Sequence, residues 1–275
     1  MYDIKGLLSS VGVKPSKRLS QNFLINDAVI EAEIGFANLS GTDTVLDIGA
    51  GFGFLTEKLS GNAKKTIAVE LDKRLAVYLK TRFRGNRNIE VVQGDILELV
   101  KGLEFDKVVA NIPYEISSPL TFAILEKGFK LAIICYQKEF ADRMVAKPGT
   151  KDYSRLSVMT SYFADAKILM RVPKQSFYPQ PKVDSAVVSM TLKKERPYTV
   201  KDEKFFFGVV ASLFQHKKQT VRNALKHSLN RLMLTKEGFR KVGLPNGLES
   251  RRVFTLTGQE MAKVAEEVGR HARSD

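Results

Sequence analysis

The residues best suited to chemistry form a short run, Asn111-Ile-Pro-Tyr114, directly after the apolar Val108-Val-Ala110. An exocyclic amine on a nucleobase is a poor nucleophile, because its lone pair is delocalised into the ring. The Asn111 side-chain oxygen and a neighbouring backbone carbonyl could both accept its N–H bonds and localise that pair. Pro113 fixes φ and stiffens the loop. Tyr114 offers a flat face to a base taken out of its stack. Taken alone, the run is better read as a turn with a structural tyrosine; its place downstream of a glycine loop favours catalysis. Phe177-Tyr-Pro-Gln-Pro-Lys-Val-Asp-Ser185 is a second aromatic loop, restrained by two prolines. Phe177 or Tyr178 could stack on the other face of the same base. Alone, this loop is a proline-rich connection with buried aromatics.

A group donor is needed, and Asp47-Ile-Gly49-Ala-Gly51-Phe-Gly53 is where one could sit. Glycines permit a tight turn and close approach of a ligand to the backbone. Glu70 lies roughly twenty residues on, where an acid can accept hydrogen bonds from ribose hydroxyls. Asp95, within Gly94-Asp-Ile96, could hold an adenine amino group. Three glycines alone could mark a plain strand–helix turn. The spacing is G-x-G-x-G, not the G-x-G-x-x-G of pyrophosphate binders, which favours an adenosyl cofactor without a diphosphate. S-adenosylmethionine fits better than NAD, which leaves a dehydrogenase as a distant alternative. Transfer from an activated sulfonium needs positioning more than a strong base.

Those residues must be placed by strands. Thr44–Ile48, Thr66–Glu70, Ile89–Val92, Lys107–Ala110 and Leu131–Tyr136 read as strands, separated by helical Phe54–Leu59, Lys73–Phe83 and a helix holding Thr121–Leu125. This alternation predicts an α/β fold with a mostly parallel sheet. Asp165–Val172 and Val183–Leu192 are two further strands that look antiparallel. The charged Lys193-Lys-Glu-Arg-Pro197 suggests a boundary, giving a domain of residues 1–196 and a small helical, basic domain of residues 197–275.

Other chemistries lack their residues. The lone cysteine, Cys135, sits in an apolar strand and permits no internal disulfide, which suits a reducing, cytoplasmic setting. The three histidines, His216, His227 and His271, fall in the last third, so metal-ligand spacing is missing and a Ser-His-Asp hydrolase is disfavoured. Phe205–Phe214, the longest apolar run, is too short for a membrane span and reads as a core helix. No signal-peptide pattern is seen. Lysine and arginine number 44 against 30 acids, a net charge of +14. That excess suits a polyanionic partner or merely a soluble surface.

In combination these residues resemble the ribosomal RNA adenine N6,N6-dimethyltransferase family. The resemblance starts at Lys17-Arg-Leu-Ser-Gln-Asn-Phe-Leu24, which is similar to the family's K-x-x-x-Q-N-F-L. It continues through Gly49-x-Gly51-x-Gly53, Glu70-x-Asp72, Gly94-Asp95 and Asn111-Ile-Pro-Tyr114, and ends with Phe177–Ser185 and the basic Phe214–Leu225. It implies a Rossmann-like, S-adenosylmethionine-dependent methyltransferase domain. The implied activity is dimethylation of N6 on two adjacent adenosines near the 3′ end of small-subunit rRNA, in an immature ribosomal subunit, by a monomer without a metal. The resemblance implies that Asn22, Leu24, Gly49, Gly51, Glu70, Asp95, Ile96 and Asn111 contact the cofactor. It implies that Asn111, Pro113 and Tyr114 address the target amine and ring, with Phe177 as the opposing face. Two departures stand out: Asp47 where many members have Glu, and Lys217 and Lys218 where many have Arg. Lysine keeps the charge but loses bidentate phosphate recognition.

From Phe214 to Arg231 the chain carries Lys217, Lys218, Arg222, Lys226 and Arg231 with no acid. At helical spacing Lys218, Arg222 and Lys226 share a face, which suits an RNA backbone better than a merely solvated helix. Two other readings compete: the related large-subunit rRNA adenine methyltransferase, and a non-catalytic RNA-binding assembly or transcription factor on the same scaffold.

Overall fold

Short β-branched runs that end on glycine or an acid become the strands, and the buried members of those runs fix their register. The computed structural model describes residues 3–16 and 21–272, so Lys17, Arg18, Leu19 and Ser20 of the first motif lie outside the described residues. The elements in chain order are α1 (Ile4–Val11), β1 (Phe23–Leu24), α2 (Asp27–Ala37), β2 (Thr44–Ile48), α3 (Phe54–Ser60), β3 (Lys65–Glu70), α4 (Lys73–Arg82) and β4 (Ile89–Gln93). Next come α5 (Ile96–Leu99), β5 (Lys107–Asn111), α6 (Ser117–Lys127), β6 (Leu131–Gln137), α7 (Lys138–Met144), α8 (Arg155–Phe163), β7 (Ala164–Val172), β8 (Phe177–Tyr178) and β9 (Ser185–Leu192). The rest is helical: α9 (Glu203–Phe214), α10 (Val221–His227), α11 (Lys236–Lys241) and α12 (Gly258–Gly269).

The chain forms two compact units, Met1–Ala141 with Asp165–Leu192, and Asp142–Ala164 with Lys193–Asp275. The single cut expected after residue 196 therefore misses one excursion. Residues 142–164 leave the sheet unit and build the second core, because α8 is buried on most sides: Leu156, Val158, Met159, Tyr162 and Phe163 are buried, as are Ser157 and Thr160.

In the first unit the seven-stranded sheet has the order β4-β3-β2-β5-β6-β9-β7. β4, β3, β2, β5 and β6 run parallel, and β9 is antiparallel to β6. Val45, Leu46, Ile48, Val108, Val109 and Ala110 are buried, as strands covered on both faces require. The winding reverses at β2, with β3 on one side and β5 on the other. Open α/β sheets bind ligands in the crevice at such a switch point. The chain ends its strands there with Gly49, Glu70, Gly94-Asp95 and Asn111. Asp72 and Asp95 also cap α4 and α5, accepting the N–H of Arg74 and Leu97, each at 2.9 Å.

Two long-range ties fix what borders that crevice. β1 pairs antiparallel with β8, matching Phe23 to Tyr178 and Leu24 to Phe177. Ile25 extends the pairing by donating its N–H to the Ser176 carbonyl at 2.8 Å. At the other end of β5, Lys107 forms a largely buried ion pair with Asp43 at 2.9 Å and donates to the carbonyls of Ala37 and Asn38. That secures the end of α2 to the start of β5.

In the second unit, α8, α9, α10 and α12 surround Val158, Phe206, Val209, Leu213, Leu225 and Val264. The apolar run Phe205–Phe214 lies in α9, whose first turn is capped by Asp202 accepting the Phe205 N–H at 2.9 Å. The expected basic helix is shorter than its sequence suggests. α10 starts only at Val221, with Thr220 as its cap, and Lys217 and Lys218 lie in the turn before it. Lys218 and Arg222 therefore do not share a helix face. The reason is local: Thr220 pairs with Arg252, and its hydroxyl accepts the Asn223 N–H, so the helix restarts there.

Candidate active site

The glycine loop is shaped by what presses on it. Gly49 has φ +73°, and a side chain there would come within 3.2 Å of Pro113 Cδ. Gly51 has φ +57° and lies under the Phe23 ring, 3.0 Å from where a Cβ would be. Both positions demand a residue free of a side chain and at ease with positive φ. The loop is pinned from the next strand: Gly49 donates its N–H to the Val69 carbonyl at 2.9 Å. Glu70 completes the cradle. Its Oε2 accepts the Gly51 N–H and its Oε1 the Asp72 N–H, both at 2.8 Å. Burial raises the Glu70 carboxyl, and these two N–H groups oppose the rise.

Asp47, at the end of β2, is buried and accepts the Thr56 hydroxyl at 2.6 Å. Burial pushes it up to about 7, and the neighbouring Glu70 charge adds to the shift. The aspartate thus acts within the loop, tying β2 to α3.

Asn111 is held from a direction the sequence did not indicate. Its Nδ2 donates to Glu33 Oε2 at 2.8 Å. Its Oδ1 is buried and has no hydrogen-bond partner among the described residues. The amide therefore has a fixed donor side and an unpaired acceptor side at the edge of the cleft. Glu33 is fully buried, with its carboxyl pushed up to about 8, by desolvation first and by the Asp47 charge. No signal in the sequence marks Glu33, which reads as one more polar position on a helix. The unpaired Oδ1, by contrast, is the atom that residue type and position single out as an acceptor.

Tyr114 lies just beyond, on a short 3₁₀ turn that follows Pro113. Its hydroxyl is 2.6 Å from Ser185 Oγ, at the start of β9. Burial raises the phenol, so it stays protonated and its ring is anchored by that hydrogen bond. Phe177 is a buried core residue that also borders the cleft, and half-buried Tyr178 packs against the same core. Cys135 is buried at the cleft floor, and desolvation raises its thiol, which leaves it an inert core residue.

The structure brings Asn22, Gly49, Gly51, Glu70, Asp95, Ile96, Asn111, Pro113, Tyr114 and Phe177 to one cleft. Leu24 borders an adjoining cavity with Asp47 and Asn111. The charged residues lining the main cleft are Glu70, Asp95 and Glu115; none of the described lining residues is Lys or Arg. A pyrophosphate would meet uncompensated carboxylates there, whereas a cationic cofactor with an adenosyl group suits the cleft. Among the described residues no cluster of His, Cys, Asp and Glu could hold a metal ion, and no helix is long and apolar enough to cross a membrane.

The basic residues of the second unit divide into two kinds. Lys217 donates to the carbonyls of Lys151 and Tyr153, at 2.9 and 3.4 Å. Arg222 donates to the Val242 carbonyl at 2.9 Å and lies over the Phe239 ring at 4.4 Å. Lys218 and Lys226 are exposed.

The model of the family described as ribosomal RNA adenine dimethylase matches residues 12–258. A protein of Methanosarcina mazei named "Probable ribosomal RNA small subunit methyltransferase A" is 45% identical over 95% of this chain and 96% of its own length. A protein of the same name from Pyrococcus abyssi is 44% identical over 96% of each chain. Among solved structures, a dimethyladenosine transferase from Plasmodium falciparum superposes with a TM-score of 0.77 at 31% identity, over 90% of this chain and 98% of that one. The 23S rRNA methyltransferase ErmE gives a TM-score of 0.64 at 27% identity, over 90% of this chain and all of that one. Matched over most of its length and at this identity, the chain belongs to the ribosomal RNA adenine dimethylase family.

Proposed function

We propose that this protein dimethylates N6 of two adjacent adenosines near the 3′ end of small-subunit rRNA, using S-adenosylmethionine, during ribosome assembly. The observation that carries the chemical part is the Asn111 amide, fixed on its donor side and unpaired on its acceptor side. The small-subunit target is supported by relatives that share nearly half of the residues and bear that name.

The residues present fit the cofactor. The glycine cradle has no space for side chains, Glu70 offers lone pairs beside Gly51 as a ribose would need, and Ile48, Leu71 and Ile96 supply apolar walls. Asp95 lies where an adenine amino group could be accepted. When bound, S-adenosylmethionine supplies a methyl group already activated on its sulfonium. Asn111 Oδ1 accepts one N–H of the target amine, and a carbonyl of the same loop can take the other. The pair turns toward the methyl carbon as the bonds tighten. Tyr114, anchored by Ser185, and Phe177 provide flat faces for the adenine ring. No strong base would be required: the nitrogen–methyl bond would form as the sulfur–methyl bond breaks to leave a neutral thioether, and the methylated nitrogen, by then acidic, would lose its proton to water. A monomethylated amine retains one N–H, so the same acceptor serves the second transfer. Lys218 and Lys226 would meet the RNA backbone.

The test is methyl transfer from radiolabelled S-adenosylmethionine to immature small subunits and, separately, to large-subunit RNA, with mass spectrometry of the digested RNA. N6,N6-dimethyladenosine confined to the small-subunit substrate is expected. The fold likeness to ErmE makes the large-subunit adenine the competing outcome, and modification there instead would overturn the proposal.

A further inference from the structure

Glu33 makes little sense as a contributor to stability. It lies on α2, is 0% exposed, and its Oε1 has no hydrogen-bond partner among the described residues. A buried carboxyl with half its hydrogen-bonding capacity unused costs folding free energy, and an apolar side chain of similar size would serve the core at least as well. The groups facing it are the Asn111 amide from β5, Asp47 from β2 and Cys135 from β6. None is a cation, so among the described residues no ion pair compensates its burial.

What Glu33 does is break the symmetry of an asparagine. The outer torsion of Asn is broad and roughly two-fold, so its amide can present either its oxygen or its NH₂ in one direction. An ionised carboxylate 2.8 Å from Nδ2 would admit only one of these, and the neutral acid that burial favours holds the same one here through its accepting oxygen. With the NH₂ held toward Glu33, Oδ1 is the polar atom left to meet a substrate. In the flipped amide two N–H donors would confront the N–H bonds of the incoming amine. Lys107, at the opposite end of β5, keeps α2 in place through its bonds to Asp43, Ala37 and Asn38. The carboxyl is thus delivered by a secured helix.

We propose that Glu33 is a positioning residue for methyl transfer, orienting the Asn111 amide so that Oδ1 accepts the N–H of the target amine. This rests on the reading of Asn111 as that acceptor. The neutral acid accepts from Nδ2 through one oxygen while carrying an O–H on the other, and the Gln amide likewise pairs an acceptor with a donor, so Gln can take its place.

The experiment compares full-length wild type with Glu33→Gln, Glu33→Leu, Glu33→Met and Asn111→Ala. Single-turnover methyl transfer, S-adenosylmethionine affinity by calorimetry, and Tm are measured for each. Glu33→Leu is expected to lower the transfer rate about 10- to 100-fold, the scale of a misplaced catalytic contact. Cofactor affinity should stay within about threefold of wild type, and Tm should be equal or higher. Glu33→Gln, which can still accept from Nδ2, should restore most of the rate. A Leu variant that binds cofactor and transfers at the wild-type rate overturns the positioning role while Asn111→Ala stays inactive. Should Leu fail to fold, Met takes its place, and a Met variant that transfers at the wild-type rate overturns the role in the same way. Full activity in Asn111→Ala would instead sink the underlying reading of the amide.

Discussion

Glu33 and Asp47 are carboxyls buried on neighbouring elements, each disfavouring the charge of the other or of Glu70. Burial is the leading cause for both, raising Glu33 from 4.5 to about 8 and Asp47 from 3.8 to about 7. Between these limits the folded protein keeps protons that the unfolded chain has lost. The resulting stability is complete below about pH 4 and fades as pH climbs through 7 and 8. The carboxyls lowered by their lysine partners, Asp43 and Asp106, act in the opposite sense but titrate below this window. Cofactor-free wild type should therefore lose about 5 °C or more in Tm between about pH 5 and 8, with the loss reduced in Glu33→Leu. A Tm that is flat across that window in wild type would refute it. Asn111 could be picked out from sequence because its type and its place after a strand speak for themselves. Glu33 could not, since its hydrogen-bond partner lies 78 positions away.

Among elements, the strands flanking the switch point were legible because buried strands are written as apolar runs, and Gly, an acid or Asn111 marks where each one stops. The expected Thr44–Ile48 strand and the observed β2 coincide, and the others differ by a residue or two at their ends. The β1–β8 ladder was not legible. A two-residue strand has no periodicity, and its partner is fixed by the finished sheet. The basic stretch misled for a related reason: helical spacing was read across Thr220, where a cap interrupts the helix. The glycine loop allows a direct check at this scale. Gly49→Ala places a methyl 3.2 Å from Pro113 Cδ on a backbone with φ +73°. About 1–2 kcal/mol of left-handed strain should result. S-adenosylmethionine affinity should fall about tenfold or more, since the loop can relax only by shifting the Asn111–Tyr114 segment. Calorimetry giving unchanged affinity would show that the loop does not touch the cofactor.

Across the whole molecule, the +14 charge is not one uniform RNA-binding surface. In the second unit Arg222 and Lys217 are occupied with backbone carbonyls and an aromatic ring, whereas Lys218 and Lys226 are free to meet solvent. Arg222→Ala is expected to cost about 1–2 kcal/mol of stability, with any loss of RNA affinity following from that. The double variant Lys218→Ala/Lys226→Ala should leave Tm unchanged and lower the salt dependence of RNA binding by about two counterions. Equal salt slopes for wild type and double variant would remove these lysines from the interface. The division of the chain was only half legible, because the apolar α8 lies between two strands and nothing in composition says which core it joins. The pairing of Phe23 with Tyr178 has a further consequence, in the order of events during synthesis. The entropy of closing so long a loop grows only logarithmically with its length. Its closure must nevertheless wait until residue 178 has left the ribosome. A growing chain can assemble the parallel strands and their glycine turn early, yet it lacks the Phe177 wall and the Ser185 anchor of Tyr114. The enzyme is therefore built so that competence for chemistry arrives late, after most of the sheet unit has been translated.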